Sequence, residues 1–161
     1  MTFMISIETH PFPTHFWLAA SPPQGDETTD GADSQPDLDA RSLRVLIVED
    51  EFFISLDMQD LLQALGHTVV GIAVSADEAV GIAEREQPDV ALVDIRLVGA
   101  RDGIDAAEEM FNRFGVPSLF ATANTDAPTR RRAQAVQPLG FLEKPVTPHR
   151  VKIALRSVRT S

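Results

Sequence analysis

From residue 43 onward the chain alternates short apolar runs with stretches whose apolar residues recur every three or four positions. That alternation narrows the possible folds more than any other feature. Residues 43–48 are apolar apart from Arg44. Ile54, Met58, Leu61, Leu62 and Leu65 follow at helical spacing, and Gly66 is placed to end that helix as its C′ residue. Residues 68–74 are strand-like, and Ser75 with Glu78 forms a capping-box pattern that opens a helix to about Glu86. Residues 90–97 are the third apolar run, and Ile104, Ala107, Met110, Phe111 and Phe114 mark a third helix. The pattern then predicts a fourth strand over 116–121, a fourth helix over 126–136 with a basic face at Arg130, Arg131 and Arg132, and a fifth strand over 139–142. Thr147 as N-cap and Pro148 at N1, followed by Val151, Leu155 and Val158, mark the last helix. Five strand–helix units in succession predict an α/β fold: a doubly wound, five-stranded parallel sheet with right-handed crossovers and helices on both faces.

The third run, Val90-Ala91-Leu92-Val93-Asp94-Ile95-Arg96-Leu97, has the composition of a strand buried on both faces. An ionised Asp is costly there without partners, but at the carboxyl end of a strand it lies in the crevice where open α/β sheets take their ligands. The plainer alternative is a loop Asp that caps the next helix. What outweighs it is the company at the other strand ends. Strand one ends in Val48-Glu49-Asp50-Glu51, strand four in Phe120-Ala121-Thr122-Ala123, and strand five in Phe141-Leu142-Glu143-Lys144-Pro145.

In a doubly wound sheet those ends open on one side. Clustered carboxylates raise one another's pKa unless a cation sits among them, and an all-oxygen set of this kind suits Mg2+. Lys144 and Thr122 are then placed to hold two oxygens of a phosphoryl group, and a carboxylate beside the metal is a candidate phosphoryl acceptor. Glu51 is either a pocket residue or the first residue of the next helix; the second is preferred.

Length and charge exclude other classes. The 161 residues carry a net charge of −10 and no Cys, so thiol chemistry and disulfides are absent, and non-specific nucleic-acid binding is disfavoured. No run approaches a membrane span. The first residues lack a basic n-region, and Glu8, His10, Pro11 and Pro13 interrupt them, so no signal peptide is expected and the protein is placed in the cytoplasm. Residues 1–40 hold seven acidic residues and no Lys or Arg. Residues 21–40 are too polar to offset their ordering entropy, so 1–42 reads as a disordered acidic extension before one domain over 43–161. Phe3, Phe12, Phe16 and Trp17 in that extension suggest either a short partner-binding motif or, the preferred alternative, a loose tail or an early start codon. His10 and His15 have no further ligands nearby and are not a metal site.

Taken together, Val48-Glu49-Asp50-Glu51, Asp94, Ala121-Thr122-Ala123 and Glu143-Lys144-Pro145 resemble the receiver domain of two-component response regulators. The likeness runs over about 43–159. Leu119-Phe120-Ala121-Thr122-Ala123 is similar to the strand-four motif of the stand-alone alphaproteobacterial receivers called the FAT GUY family. The resemblance implies a flavodoxin/CheY-like fold with strand order 2-1-3-4-5. It implies Asp94 as phosphoacceptor from a histidine kinase or phosphorelay protein. Mg2+ would be held by Asp94, Asp50 and the Arg96 backbone carbonyl, with Glu49 acting mainly through water. Thr122 and the Ala123 amide would bind the phosphoryl group, Lys144 would pair with it, and Lys144-Pro145 would be cis. Phe141 would be the aromatic that changes rotamer with Thr122.

There are departures. Val98 stands where receivers commonly carry Pro, the 98–103 loop is longer than usual, and Asn124 and Thr125 follow Thr122-Ala123; Arg96 and Asn124 are expected to face the pocket. With no output domain expected after the last helix, signalling would pass by contact with a downstream protein or by phosphorelay. Arg130 to Arg132 would be either part of a protein surface or a solvated helix face. Two alternatives from other classes remain. One is a Mg2+-dependent phosphohydrolase with an Asp nucleophile, against which Arg96 stands where the haloacid dehalogenase type has a second Asp. The other is a binding scaffold on the same fold that takes no phosphate.

Overall fold

The computed structural model describes residues 41–123 and 126–158. The acidic and aromatic segments before residue 41, together with Asn124 and Thr125, lie outside them. The elements alternate without exception: β1 (Arg44–Val48), α1 (Phe52–Ala64), β2 (Thr68–Ala73), α2 (Ala76–Glu86), β3 (Val90–Asp94), α3 (Gly103–Phe114), β4 (Ser118–Thr122), α4 (Ala127–Ala135), β5 (Gly140–Glu143) and α5 (Pro148–Leu155). All strands pair in parallel, in the order β2-β1-β3-β4-β5. This is the doubly wound order implied by the resemblance.

The composition of the strands follows from their burial. Every residue of β3 and β4 is buried, which is why those strands read as unbroken apolar runs rather than alternating ones. Two apolar layers flank the sheet. Met58 and Leu62 of α1 and Val151 and Leu155 of α5 pack with Val45, Ile47 and Leu92. On the other layer, Ala79, Val80 and Ala83 of α2, Ile104, Ala107 and Met110 of α3, and Ala133 of α4 pack with Leu46, Val48, Val93 and Phe120.

The caps largely follow the sequence. Gly66 takes φ +85° just beyond α1, as a C′ glycine should. The Ser75 side chain accepts the Glu78 N–H at 3.3 Å, while the Glu78 carboxylate reaches one residue further back than a standard box, to the Val74 N–H at 2.9 Å. Glu51 is the N-cap of α1 and is exposed, so it belongs to the helix rather than the pocket. Thr147 holds the N-cap position of α5 but makes no side-chain cap bond; only its carbonyl engages, accepting the Val151 N–H at 3.1 Å. The last helix closes at Leu155, and Val158 follows in a turn whose N–H donates to the Leu155 carbonyl at 3.1 Å. β4 begins at Ser118 rather than at Val116, because Pro117 has no N–H for the ladder; its carbonyl accepts the Ala91 N–H at 2.9 Å as the strand opens. No described helix is long and apolar enough to cross a membrane.

Candidate functional site

Strand register assembles the site. Val48 lies beside Val93, so Glu49 arrives level with Asp94 and Asp50 stands one residue beyond. Ala121 lies beside Asp94, and Thr122 beside Glu143, which brings Thr122 and Lys144 to the same rim. The Lys144 N–H donates to the Thr122 carbonyl at 2.9 Å, fixing the chain at the start of the turn, and the Lys144-Pro145 peptide is cis.

Three carboxylates converge. Glu49, Asp50 and Asp94 each offer an oxygen within 4.8 Å of the others. Glu49 is fully buried, Asp94 nearly so, and Asp50 partly exposed. Lys144 Nζ sits between two of them, donating to Glu49 Oε2 at 2.6 Å and to Asp94 Oδ2 at 2.7 Å. Asp94 Oδ1 accepts the Arg96 N–H at 3.2 Å, so both oxygens of Asp94 are oriented. Asp50 Oδ2 accepts the Val98 N–H at 3.3 Å, and Glu49 Oε1 the Glu51 N–H at 3.4 Å.

The electrostatics are those of a site short of positive charge. Burial pushes the Glu49 carboxyl up, against the opposing pull of Lys144. Burial pulls the Lys144 ammonium down, but its bonds to Asp94 and Glu49 more than offset this and hold it above its ordinary value, so it stays charged. One ammonium among three clustered carboxylates leaves room for a hard cation. The donor set, all oxygen with two of its three residues buried, fits Mg2+.

The sequence-derived residues are thus held in different ways. Glu49, Asp50, Asp94 and Lys144 are in one cluster. Thr122, buried at the end of β4, and Ala123, exposed after it, line up on the rim by register. Arg96 reaches the cluster through its backbone N–H. Phe141 lies half-buried on β5, stacked on Phe120 with ring centroids 5.6 Å apart, and Arg130 lies over it at 4.6 Å.

Other features were not foreseen. Phe52 and Phe53, at the first turn of α1 beside Asp50, meet edge to face at 5.5 Å and are 70% and 78% exposed. They lie outside the helical apolar pattern, which is the sequence signal that they do not join the core. Arg132, read as surface or solvated face, is committed within the domain. It forks onto Asp102 with two 2.7 Å bonds and reaches Asp105 at 2.8 Å.

Residues 45–156 match the family described as the response regulator receiver domain. The chain is 36% identical over 113 residues to the phyllosphere-induced regulator PhyR of Methylorubrum extorquens, a match covering 69% of this chain and 41% of that protein. It is 37% identical over 102 residues to the transcriptional regulatory protein PdtaR of Mycobacterium tuberculosis, covering 63% and 49%. It therefore spans less than half the length of either relative. Among solved structures, the PhyR receiver domain of Erythrobacter litoralis superposes with a TM-score of 0.63 at 34% identity, covering 73% of this chain and 95% of that one. With a carboxylate cluster and a lysine at the carboxyl ends of a 2-1-3-4-5 sheet, and with that match over most of its length, the chain belongs to the response regulator receiver domain family.

Proposed function

We propose that the protein accepts a phosphoryl group on Asp94 from a histidine kinase or phosphotransfer protein and signals through protein contacts. The observation that carries this is the Lys144 ammonium held 2.7 Å from Asp94 Oδ2 inside the carboxylate cluster. Asp50, Asp94 and the Arg96 carbonyl would hold Mg2+, with Glu49 behind them; the ion's chemistry there is to offset charge on the transferring oxygens.

The step is a displacement. An Asp94 oxygen forms a bond to phosphorus as the P–N bond of the donor phosphohistidine breaks. The bonding pair stays on the imidazole, which leaves neutral because its other nitrogen carries a proton. Asp94 is the carboxylate for this role because Glu49 is fully buried whereas Asp94 keeps some exposure, and Asp50 is turned to the 98–103 loop through Val98. Lys144 moves with the charge, from the carboxylate to the new phosphoryl oxygens. Thr122 and the Ala123 amide take the remaining oxygens, and Phe141 responds to the displacement of Thr122.

The exposed Phe52–Phe53 pair, which follows Asp50 by two and three residues, gives a donor protein an apolar landing. The chemistry ends with gain and loss of the protein's own phosphoryl group, so the role is signalling rather than turnover, in the cytoplasm, with a downstream protein as target and neither nucleic acid nor membrane as partner. The receiver corresponds to 43–161 and is preceded by the 1–42 extension.

Incubation with acetyl phosphate and Mg2+, followed by intact-mass measurement, tests this. One phosphoryl addition is expected on the natural protein, slower addition on Asp50→Asn, and none on Asp94→Asn. Undiminished addition to Asp94→Asn would reject the assignment. Sustained hydrolysis of a generic phosphate ester would favour the phosphohydrolase alternative, and no addition at all the scaffold.

A further inference from the structure

The segment after Asp94 is fastened at several points. Val98 donates its N–H to Asp50. Arg101 pairs with Asp77 at 2.7 Å and with Glu109 at 2.6 Å, pinning the loop between α2 and α3. Asp102 caps α3 in a reciprocal box with Asp105, accepting the Ile104 and Asp105 N–H groups at 3.0 and 3.1 Å. Gly103 is pressed onto the backbone of the acceptor: a Cβ there would lie 1.8 Å from the Asp94 carbonyl oxygen. The Gly103 N–H donates to the Ile95 carbonyl at 3.1 Å. Any shift of the Asp94 backbone must therefore be felt at Gly103 and Asp102.

Asp102 is also where α4 is attached. That helix buries only Ala133, too little apolar surface to fix its position by itself. What holds it is Arg132, whose planar fork meets both oxygens of Asp102 and one of Asp105. Two residues back along the same helix, and so on its other side, Arg130 lies over Phe141.

We infer that Arg132 is a positioning residue whose fork on Asp102 sets the resting place of α4 and couples it to the acceptor's backbone, separately from Thr122. The functional part of this rests on Asp94 being the phosphorylated residue. A helix held by directional polar bonds rather than by a buried face has a second position within reach of a small energetic push. Loading the site pulls on the Asp50–Val98 end of the loop, and the pull reaches α4 through Gly103, Asp102 and Arg132. The intact clamp favours the unmodified arrangement, and its removal favours the loaded one.

The test uses the full chain with Arg132→Ala, Asp102→Asn and the double variant. Asn keeps the α3 N-cap while removing the charge that Arg132 grips. Amide exchange is measured on the unmodified proteins, and affinity for beryllofluoride with Mg2+ by NMR titration. Each single variant is expected to speed exchange over 127–135 by roughly threefold to tenfold, with α3 unchanged, and to tighten beryllofluoride binding by a similar factor. The double variant should add almost nothing to Arg132→Ala, and Asp102→Asn, which leaves Arg132 its bond to Asp105, should show the smaller single effect. Unchanged exchange in α4, additive single effects, or weaker beryllofluoride binding would overturn the proposal. Uniformly faster exchange across the whole domain would overturn it too, by reducing Arg132 to general stability. If the natural protein fails to bind beryllofluoride, the Asp94 assignment falls, while the exchange measurements still decide whether the clamp holds α4.

Discussion

α3 and α4 pack on the same side of the sheet, yet they are held by different physics. α3 buries Gly103, Ile104, Ala106, Ala107 and Met110, and is closed by the Asp102 box at one end and by Gly115 at φ +70° at the other. α4 buries Ala133 alone and depends on Asp126, Arg130 and Arg132. Apolar burial is non-directional and stabilises by about 25 cal/mol per Å2, so α3 gains from staying where it is and from little else. Half-exposed ion pairs and ring contacts are each worth about 1 kcal/mol or less, and depend on angle and partner. The first kind of attachment makes a wall for the acceptor; the second makes an element that a single phosphoryl group has the energy to move.

The sharpest way to break this contrast is at the wall. Gly103→Ala would place a methyl group against the Asp94 carbonyl, which is backbone and cannot step aside. Loss of about 3 kcal/mol is expected from the midpoint of urea unfolding, at the upper end of overpacking costs, with the whole domain affected. A loss under about 0.5 kcal/mol, the range of ordinary surface substitutions, would mean that α3 slides more freely than its packing implies.

The matching change on the other helix is Asp126→Ala, which removes the side chain that accepts the Thr129 N–H at 2.8 Å. A cap is worth about 1 kcal/mol, and here its loss should appear as faster exchange of the first turn of α4 with little change in global midpoint. A global loss as large as that of Gly103→Ala would erase the distinction between the two helices.

The smallest effect concerns acid. Burial favours the neutral form of Asp102, but Arg132 and the α3 N–H groups outweigh it and hold the carboxyl below its ordinary range. A carboxyl depressed in the folded state stabilises fully above its unfolded pKa of about 3.9, and that stability is lost as pH falls through the lower folded value. Urea midpoints followed between about pH 6 and pH 3 should therefore fall less steeply in Asp102→Asn than in the natural protein, the difference emerging only below about pH 4. Equal slopes would show that Arg132 contributes nothing to the charge state of Asp102.

How far the sequence foretold these features depended on the distance over which each one is written. The five units were legible because strands buried on both faces must be continuous apolar runs, and because Gly66, Ser75 and Pro148 mark helix ends locally. The convergence of Glu49, Asp50, Asp94 and Lys144 was legible for the same reason, since each lies within two residues of the end of such a run. The Asp102 box was overlooked because it uses Asp at both positions, and the 98–103 segment carries no apolar period to announce a helix start. Arg101 and Arg132 find partners 24 and 30 residues away, which no local pattern encodes. Lys144 was expected to await a phosphoryl group; its pairing with Glu49 and Asp94 meanwhile is a consequence of burial, which leaves a charged amine no better partner.

The central claim is that Asp94 carries the phosphoryl group, and the most direct measurement locates the acyl phosphate itself. After labelling with acetyl phosphate and Mg2+, borohydride reduction converts a phosphorylated aspartate to homoserine, and peptide mass spectrometry reads its position. Homoserine is expected at residue 94 and not at residue 50, and 5-hydroxynorvaline, the product that a phosphorylated glutamate would give, at neither 49 nor 51. Homoserine at Asp50, or labelled protein whose residue 94 remains aspartate, would contradict the mechanism.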